Sequence, residues 1–220
     1  MSFAIDSKRE VMATGQMAEK NPYKPRKKIL SIYVWDINGK KVLNKLDGFH
    51  TIAVVLLEFS PNSKLLFSCG NDDKNTFAVY DWMSGSILYS GPVSRAKVNG
   101  ISWKNDNEFV TCGNDHVKIW TGGKGKLGKI KGKSEGMFSC VASKHVYVTG
   151  SGDGGIYNWT GNISGDKIKA HTGKVQTLVH FKDCVYSGGD DGKILAWRTA
   201  SNGSVSTPEK YFETRIAFQK

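Results

Sequence analysis

The chain has 220 residues, 39% of them hydrophobic, with 31 Lys and Arg against 20 Asp and Glu and a formal net charge of +11. This is ordinary globular composition, long enough for a sizeable core, and it excludes a low-complexity chain. The charge favours acidic partners, yet no arginine-rich run, zinc-finger spacing or aromatic RNA-binding signature supports a specific nucleic acid, and no run of about 18 apolar residues supports a membrane span.

The start, Met1-Ser2-Phe3-Ala4-Ile5-Asp6, has no basic-then-apolar signal segment, so the sequence predicts a soluble, cytoplasmic protein. In chain order, Phe3-Ala4-Ile5 reads as the end of a strand and Ala13-Thr14-Gly15-Gln16 as a turn. A basic insert follows, then Ile32-Tyr33-Val34-Trp35-Asp36, whose period-two alternation predicts a strand. The second unit opens at Gly48-Phe49-His50 and continues with strands at Ile52–Leu57 and Leu65–Ser68, a turn to Asp73, a strand ending at Tyr80, and a more polar strand at Ser86–Tyr89.

The third unit has the turn Thr111-Cys112-Gly113-Asn114-Asp115 and a strand ending at Trp120. The fourth has Val146–Thr149, the turn Thr149–Gly154 and a strand ending at Trp159. The fifth begins at Ala170-His171 and runs through Val175–Val179 and the turn Ser187–Gly192 to Trp197. The aromatics Trp35, Tyr80, Trp120, Trp159 and Trp197 are spaced by 45, 40, 39 and 38 residues. Four strands per period of that length is the signature of a WD-repeat β-propeller.

The expected fold is therefore all-β, about five four-stranded blades forming an incomplete, open arc of a larger propeller. The approximate blades are 1–47, 48–91, 92–132, 133–169 and 170–210, with 211–220 starting a further strand. A five-bladed ring, with Tyr211–Phe218 reinforcing the first blade, is the alternative.

In WD repeats a His, a Ser or Thr, the turn Asp and the Trp form a buried polar tetrad. His171, Ser187, Asp191 and Trp197 supply one set; His50, Ser68, Asp73 and Tyr80 supply the next. The third and fourth units lack the histidine, which leaves their blades more dependent on apolar packing. Recurrence at the blade period makes these His–Asp pairs structural, not acid–base catalysts. Gly150–Gly155 matches GxGxxG, but a strand follows where a phosphate site needs a helix. Cys69, Cys112, Cys140 and Cys184 have no CxxC or metal-ligand spacing and read as small hydrophobes. No catalytic residue, metal or cofactor is expected.

Val11-Met12-Ala13-Thr14-Gly15-Gln16, Val34-Trp35-Asp36, Gly48-Phe49-His50, Val79-Tyr80-Asp81-Trp82 and Val110–Trp120 follow one another in an order that resembles the echinoderm microtubule-associated protein-like family. The resemblance covers nearly the whole chain, and the ATGQ segment with its downstream VWD is its most specific piece. It implies part of the first propeller of a tandem pair, in proteins that bind tubulin and microtubules. About five blades stand where that family's ring has seven, so another chain or self-association is one way to complete the propeller.

Two basic segments are candidate contacts for an acidic protein surface. One holds Lys20, Lys24, Arg26, Lys27 and Lys28; the other holds Lys124, Lys126, Lys129, Lys131 and Lys133, interleaved with glycine. The expected function is a non-catalytic binding scaffold associated with tubulin or a cytoskeletal assembly; a WD-repeat adaptor in another intracellular complex is the alternative.

Overall fold

The computed structural model describes residues 2–18, 30–132, 135–142, 147–200 and 205–213. Every regular element among the described residues is a β-strand, and the strands within each sheet pair antiparallel. The chain divides into two compact units, residues 1–97 and 98–220.

The first unit holds two sheets. Strands β1 (Ser2–Ile5), β2 (Val11–Gly15), β3 (Ser31–Asp36) and β4 (Lys41–Asp47) pair in chain order. So do β5 (Val54–Phe59), β6 (Leu65–Gly70), β7 (Thr76–Asp81) and β8 (Ser86–Pro92). The middle strands are the most apolar and the best buried; β8 is exposed or half-buried throughout. That gradient is what a sheet packed through its centre and wet at one edge requires.

The second unit holds three. The third sheet contains β9 (Val98–Asn105), β10 (Glu108–Gly113), β11 (Val117–Thr121) and β12 (Lys124–Leu127). In the fourth, β13 (Met137–Ala142), β14 (Tyr147–Ser151) and β15 (Gly155–Thr160) are followed by two short pieces, β16 (Ile163–Ser164) and β17 (Ile168–Lys169), which both pair with β15. The outer strand of this sheet is thus split around Gly165–Lys167. The fifth contains β18 (Val175–Phe181), β19 (Cys184–Gly189), β20 (Lys193–Thr199) and β21 (Val205–Glu213). Tyr211, Phe212 and Glu213 pair with Leu195, Ile194 and Lys193, so they extend β21 where the sequence suggested a new strand.

One contact recurs between neighbouring sheets. In the first unit the Ser2 hydroxyl donates to the Val54 carbonyl at 2.8 Å, and Ser2 is the register partner of Gly15. A Cβ on Gly15 would lie 2.6 Å from Val54. In the second unit Ser139 donates to the Val175 carbonyl at 3.1 Å, is paired with Gly150, and a Cβ there would lie 2.5 Å from Val175. A small first strand plus a glycine lets the valine of the next sheet sit on backbone. Around each contact an apolar layer closes: Ala4, Ala13 and Ile32 against Val54, Leu57 and Leu66, and Val141, Val148 and Ile156 against Leu178, Val185 and Leu195.

A second recurrence lies within the sheets. The ring N–H of Trp35 donates to Thr14, that of Trp120 to Thr111, that of Trp159 to Thr149 and that of Trp197 to Ser187, each at 2.9 Å. In the second sheet Tyr80 takes the place of the tryptophan, opposite Leu66 and beside Ser68. Replacing Thr149 with Val keeps the shape but orphans a buried indole N–H. Urea unfolding of Thr149→Val is expected to show a loss of about 1–3 kcal/mol, whereas Thr160→Val, at an exposed site on the same sheet, should change stability little.

Candidate functional site

The fifth sheet carries a complete polar chain. Trp197 Nε1 donates to Ser187 Oγ, which lies 2.8 Å from His171 Nε2, and His171 Nδ1 lies 2.9 Å from Asp191 Oδ1. A carboxylate only accepts, so Nδ1 carries the proton toward Asp191 and Nε2 accepts from the serine. Burial pushes the Asp191 carboxyl up, but the N–H groups of Thr172 and Lys193 and the His171 ring together hold it below the usual carboxylate range. All polar atoms of the chain are thereby engaged inside the sheet.

The second sheet makes half of this arrangement. His50 Nε2 lies 2.7 Å from Ser68 Oγ, while His50 Nδ1 is buried without a hydrogen-bond partner. Asp73, the acid that the sequence suggested, is exposed and does not join the group. Its neighbour Asp72 faces His50 electrostatically, but its oxygens accept from the backbone of Lys74 and Thr76 and from the Thr76 hydroxyl. The loop here is two residues longer than in the fifth sheet: Tyr80 follows Ser68 by 12 residues, where Trp197 follows Ser187 by 10. The spacing from the aromatic therefore does not locate the acid here.

Counting forward from the hydroxyl picks the right one. Asp72, Asp115, Asp153 and Asp191 each stand four residues after Ser68, Thr111, Thr149 and Ser187. The third and fourth sheets fill the position of the missing histidine in their own ways. In the third, Asp115 binds the adjacent His116 at 3.0 Å, a buried ring whose Nε2 has no partner. In the fourth, Asp153 pairs with Lys167 and accepts from Ser151. These sheets are not purely apolar at this point, a feature that a search for histidines alone overlooks.

The basic segments separate differently. Lys24, Arg26, Lys27 and Lys28, like Lys20 and Lys133, lie outside the described residues. Lys124 and Lys126 project from β12 and are exposed. The glycines between lysines have a packing cause: a Cβ on Gly125 would lie 2.7 Å from the Trp120 ring, and one on Gly128 would lie 2.7 Å from the Trp159 ring. Each indole that ties its own sheet together thus requires glycine beside it and leaves the alternating lysines outward. Lys129 is exposed, its backbone bridged to Asn162 and Ser164; exposed Lys131 pairs with Asp166 at 2.6 Å.

Lys124 and Lys126 border a cleft of about 560 Å³ that also presents Lys104, Glu108, Tyr147 and Trp159. Lys104 is held by Glu108 at 3.0 Å and over the Tyr147 ring at 4.9 Å. Lys124 and Lys126 have no ion pair among the described residues. The cleft offers two available cations on an aromatic floor, suited to carboxylates. Its single acid, Glu108, is neutralised by Lys104.

Five antiparallel sheets in sequence, four of them tied by an indole-to-hydroxyl bond and four carrying an Asp turn, define a WD-type β-propeller protein. A family model described as the echinoderm microtubule-associated protein first beta-propeller matches residues 1–219. The chain belongs to that family.

Among curated relatives, it is 28% identical over 227 residues to echinoderm microtubule-associated protein-like 2 of Rattus norvegicus, covering 93% of this chain and 34% of that protein. It is also 28% identical over 213 residues to the 77 kDa echinoderm microtubule-associated protein of Strongylocentrotus purpuratus, covering 89% of this chain and 31% of that one. The chain thus spans about a third of these relatives. Among solved structures, the β-propeller domain of Cps50 (Swd1) from Myceliophteria thermophila superposes with a TM-score of 0.76 at 15% identity, over 97% of this chain and 72% of that one.

Burial pushes the His50 imidazole from 6.5 down to about 4, and the Asp72 charge offsets only part of that. The unfolded chain therefore binds more protons between these values, and stability rises with pH there. The contribution is complete above about pH 6.5 and is lost as the pH falls toward 4. Thermal unfolding of the wild type from pH 7 to pH 4.5 is expected to show a steeper decline than His50→Gln, whose amide cannot titrate.

Proposed function

We propose that this chain is a non-catalytic scaffold that binds tubulin or microtubules through their acidic segments, at a cytoskeletal location in the cytoplasm. The observation that carries this reading is the pair Lys124 and Lys126, held outward by the glycine alternation over a cleft with no unpaired acid. Family membership supports it, since the relatives are named as microtubule-associated proteins. The net charge of +11 adds long-range attraction for an acidic surface. Lys129 and Lys131 extend the same basic run; Lys24, Arg26, Lys27, Lys28 and Lys133 belong to the proposal by charge alone.

Co-sedimentation with microtubules tests it. Binding at low salt is expected to fall steeply toward physiological ionic strength, where the screening length is about 8 Å. Lys124→Glu/Lys126→Glu should weaken binding at least about 5-fold, the equivalent of about 1 kcal/mol, with unchanged unfolding. Pelleting that is indifferent to salt, to this variant and to removal of the acidic tubulin tails sinks the proposal.

A further inference from the structure

Strand β12 is the outer edge of the third sheet: Lys124–Leu127 pair with β11, and no other strand among the described residues is registered against them. The register fixes which backbone groups are left over. Gly128 N–H donates to the Val117 carbonyl, so Lys118 and Leu127 form a pair without mutual hydrogen bonds. Antiparallel alternation then gives the mutual bonds to Ile119–Lys126 and Thr121–Lys124. Gly125 and Leu127 therefore turn their N–H and C=O groups away from β11. The Asn162 side-chain amide already donates to the outward Leu127 carbonyl at 3.0 Å. Both groups of Gly125 and the N–H of Leu127 remain, on exposed residues.

The same alternation sets the side chains. Lys124 and Lys126 stand on one face, opposite Thr121 and Ile119, bordering the cleft that reaches Trp159. Two residues apart on a strand, they lie about 7 Å from each other. Between them Gly125 bears no side chain, because the Trp120 ring occupies that space. Lysine on an edge repels a basic strand and leaves the edge open to an acidic one. In β4, by contrast, Lys45 is paired with Asp47, and β8 has no lysine.

We propose that β12 binds an acidic peptide by strand addition: an extended segment of a partner protein pairs antiparallel with Lys124–Leu127 and carries carboxylates at positions i and i+2. Its middle residue exchanges both backbone hydrogen bonds with Gly125, so that residue must have an N–H and proline is refused there. The flanking carboxylates then lie directly across from Lys124 and Lys126, on their face. Charge complementarity selects the occupant: a strand edge accepts any backbone, but only alternate acids answer two cations at the strand repeat. The inference rests on the reading that Lys124 and Lys126 receive an acidic protein segment, and adds how that segment is held and which spacing it needs.

Fluorescence anisotropy with two isomeric labelled peptides at low salt tests it. Both contain three glutamates among serines and threonines, in one at every second position and in the other at every third. The every-second peptide is expected to bind at least about 5-fold tighter, since only one glutamate of its isomer can face the lysines at a time. N-methylation of the residues between its glutamates removes the N–H that the Gly125 carbonyl accepts and should weaken it about 5-fold or more, with charge unchanged. Leu127→Pro removes an outward N–H that β11 does not use and keeps both lysines. It should reduce the every-second peptide to the affinity of its isomer and leave the isomer's affinity as it was.

Equal affinity of the two isomers, or indifference to N-methylation, overturns strand addition. So does undiminished affinity in a Leu127→Pro chain with wild-type thermal unfolding. Should that variant fail to fold, the isomers and the methylated peptide decide on the wild type. Lys124→Glu/Lys126→Glu separates the two readings. If both isomers bind alike and this variant abolishes both, the acidic contact stands and strand addition is rejected. Peptide binding that survives the variant rejects both readings. If neither peptide binds at all, strand addition is rejected, and microtubule co-sedimentation judges the acidic contact by itself.

Discussion

A hydrogen bond from an indole N–H to a Ser or Thr hydroxyl ties the second strand to the third in four of the five sheets. It joins Trp35 to Thr14, Trp120 to Thr111, Trp159 to Thr149 and Trp197 to Ser187, and Tyr80 takes the same place beside Ser68 in the second sheet. Because the donor sits on a large apolar ring, satisfying it fixes the ring plane as well as the strand register. The rest of the local architecture adapts to that plane. Gly125 and Gly128 are glycines because Trp120 and Trp159 lie over them, and the lysines alternate outward as a consequence. A structural bond inside the sheets thereby shapes the basic surface outside.

The acid of the turn is tied to the same reference point. In four of the sheets it stands four residues after the hydroxyl, but the group that answers it changes from sheet to sheet. His171 answers Asp191, Lys167 answers Asp153, the adjacent His116 answers Asp115, and Asp72 turns back onto Thr76. Asp72, Asp153 and Asp191 are partly buried carboxylates that must be satisfied, and several chemistries do so. The second sheet does so least fully, and there a neutral, buried His50 makes folding sensitive to acid.

Contact between sheets depends on small residues where the polar chains do not reach. Ser2 with Gly15 and Ser139 with Gly150 leave room for a valine and supply a hydroxyl for its carbonyl.

The sequence by itself determined the number of sheets, the aromatic that closes each, and the hydroxyl and histidine of the complete tetrad. These follow from local alternation and from a period of roughly 40 residues, both carried by consecutive side chains. It also pointed to the family, through the order of its motifs. Choosing Asp72 over Asp73 depended on the path of a longer loop, and replacing the absent histidine by Lys167 depended on a residue 14 positions from Asp153. The glycines among the lysines had no stated cause until the indoles above Gly125 and Gly128 were in place. Likewise, alternation in β1 and β18 marks two faces but cannot say which one a neighbouring sheet covers. Only tertiary packing decided these, because burial, hydrogen-bond partners and cover are properties of what lies across from a residue, not beside it.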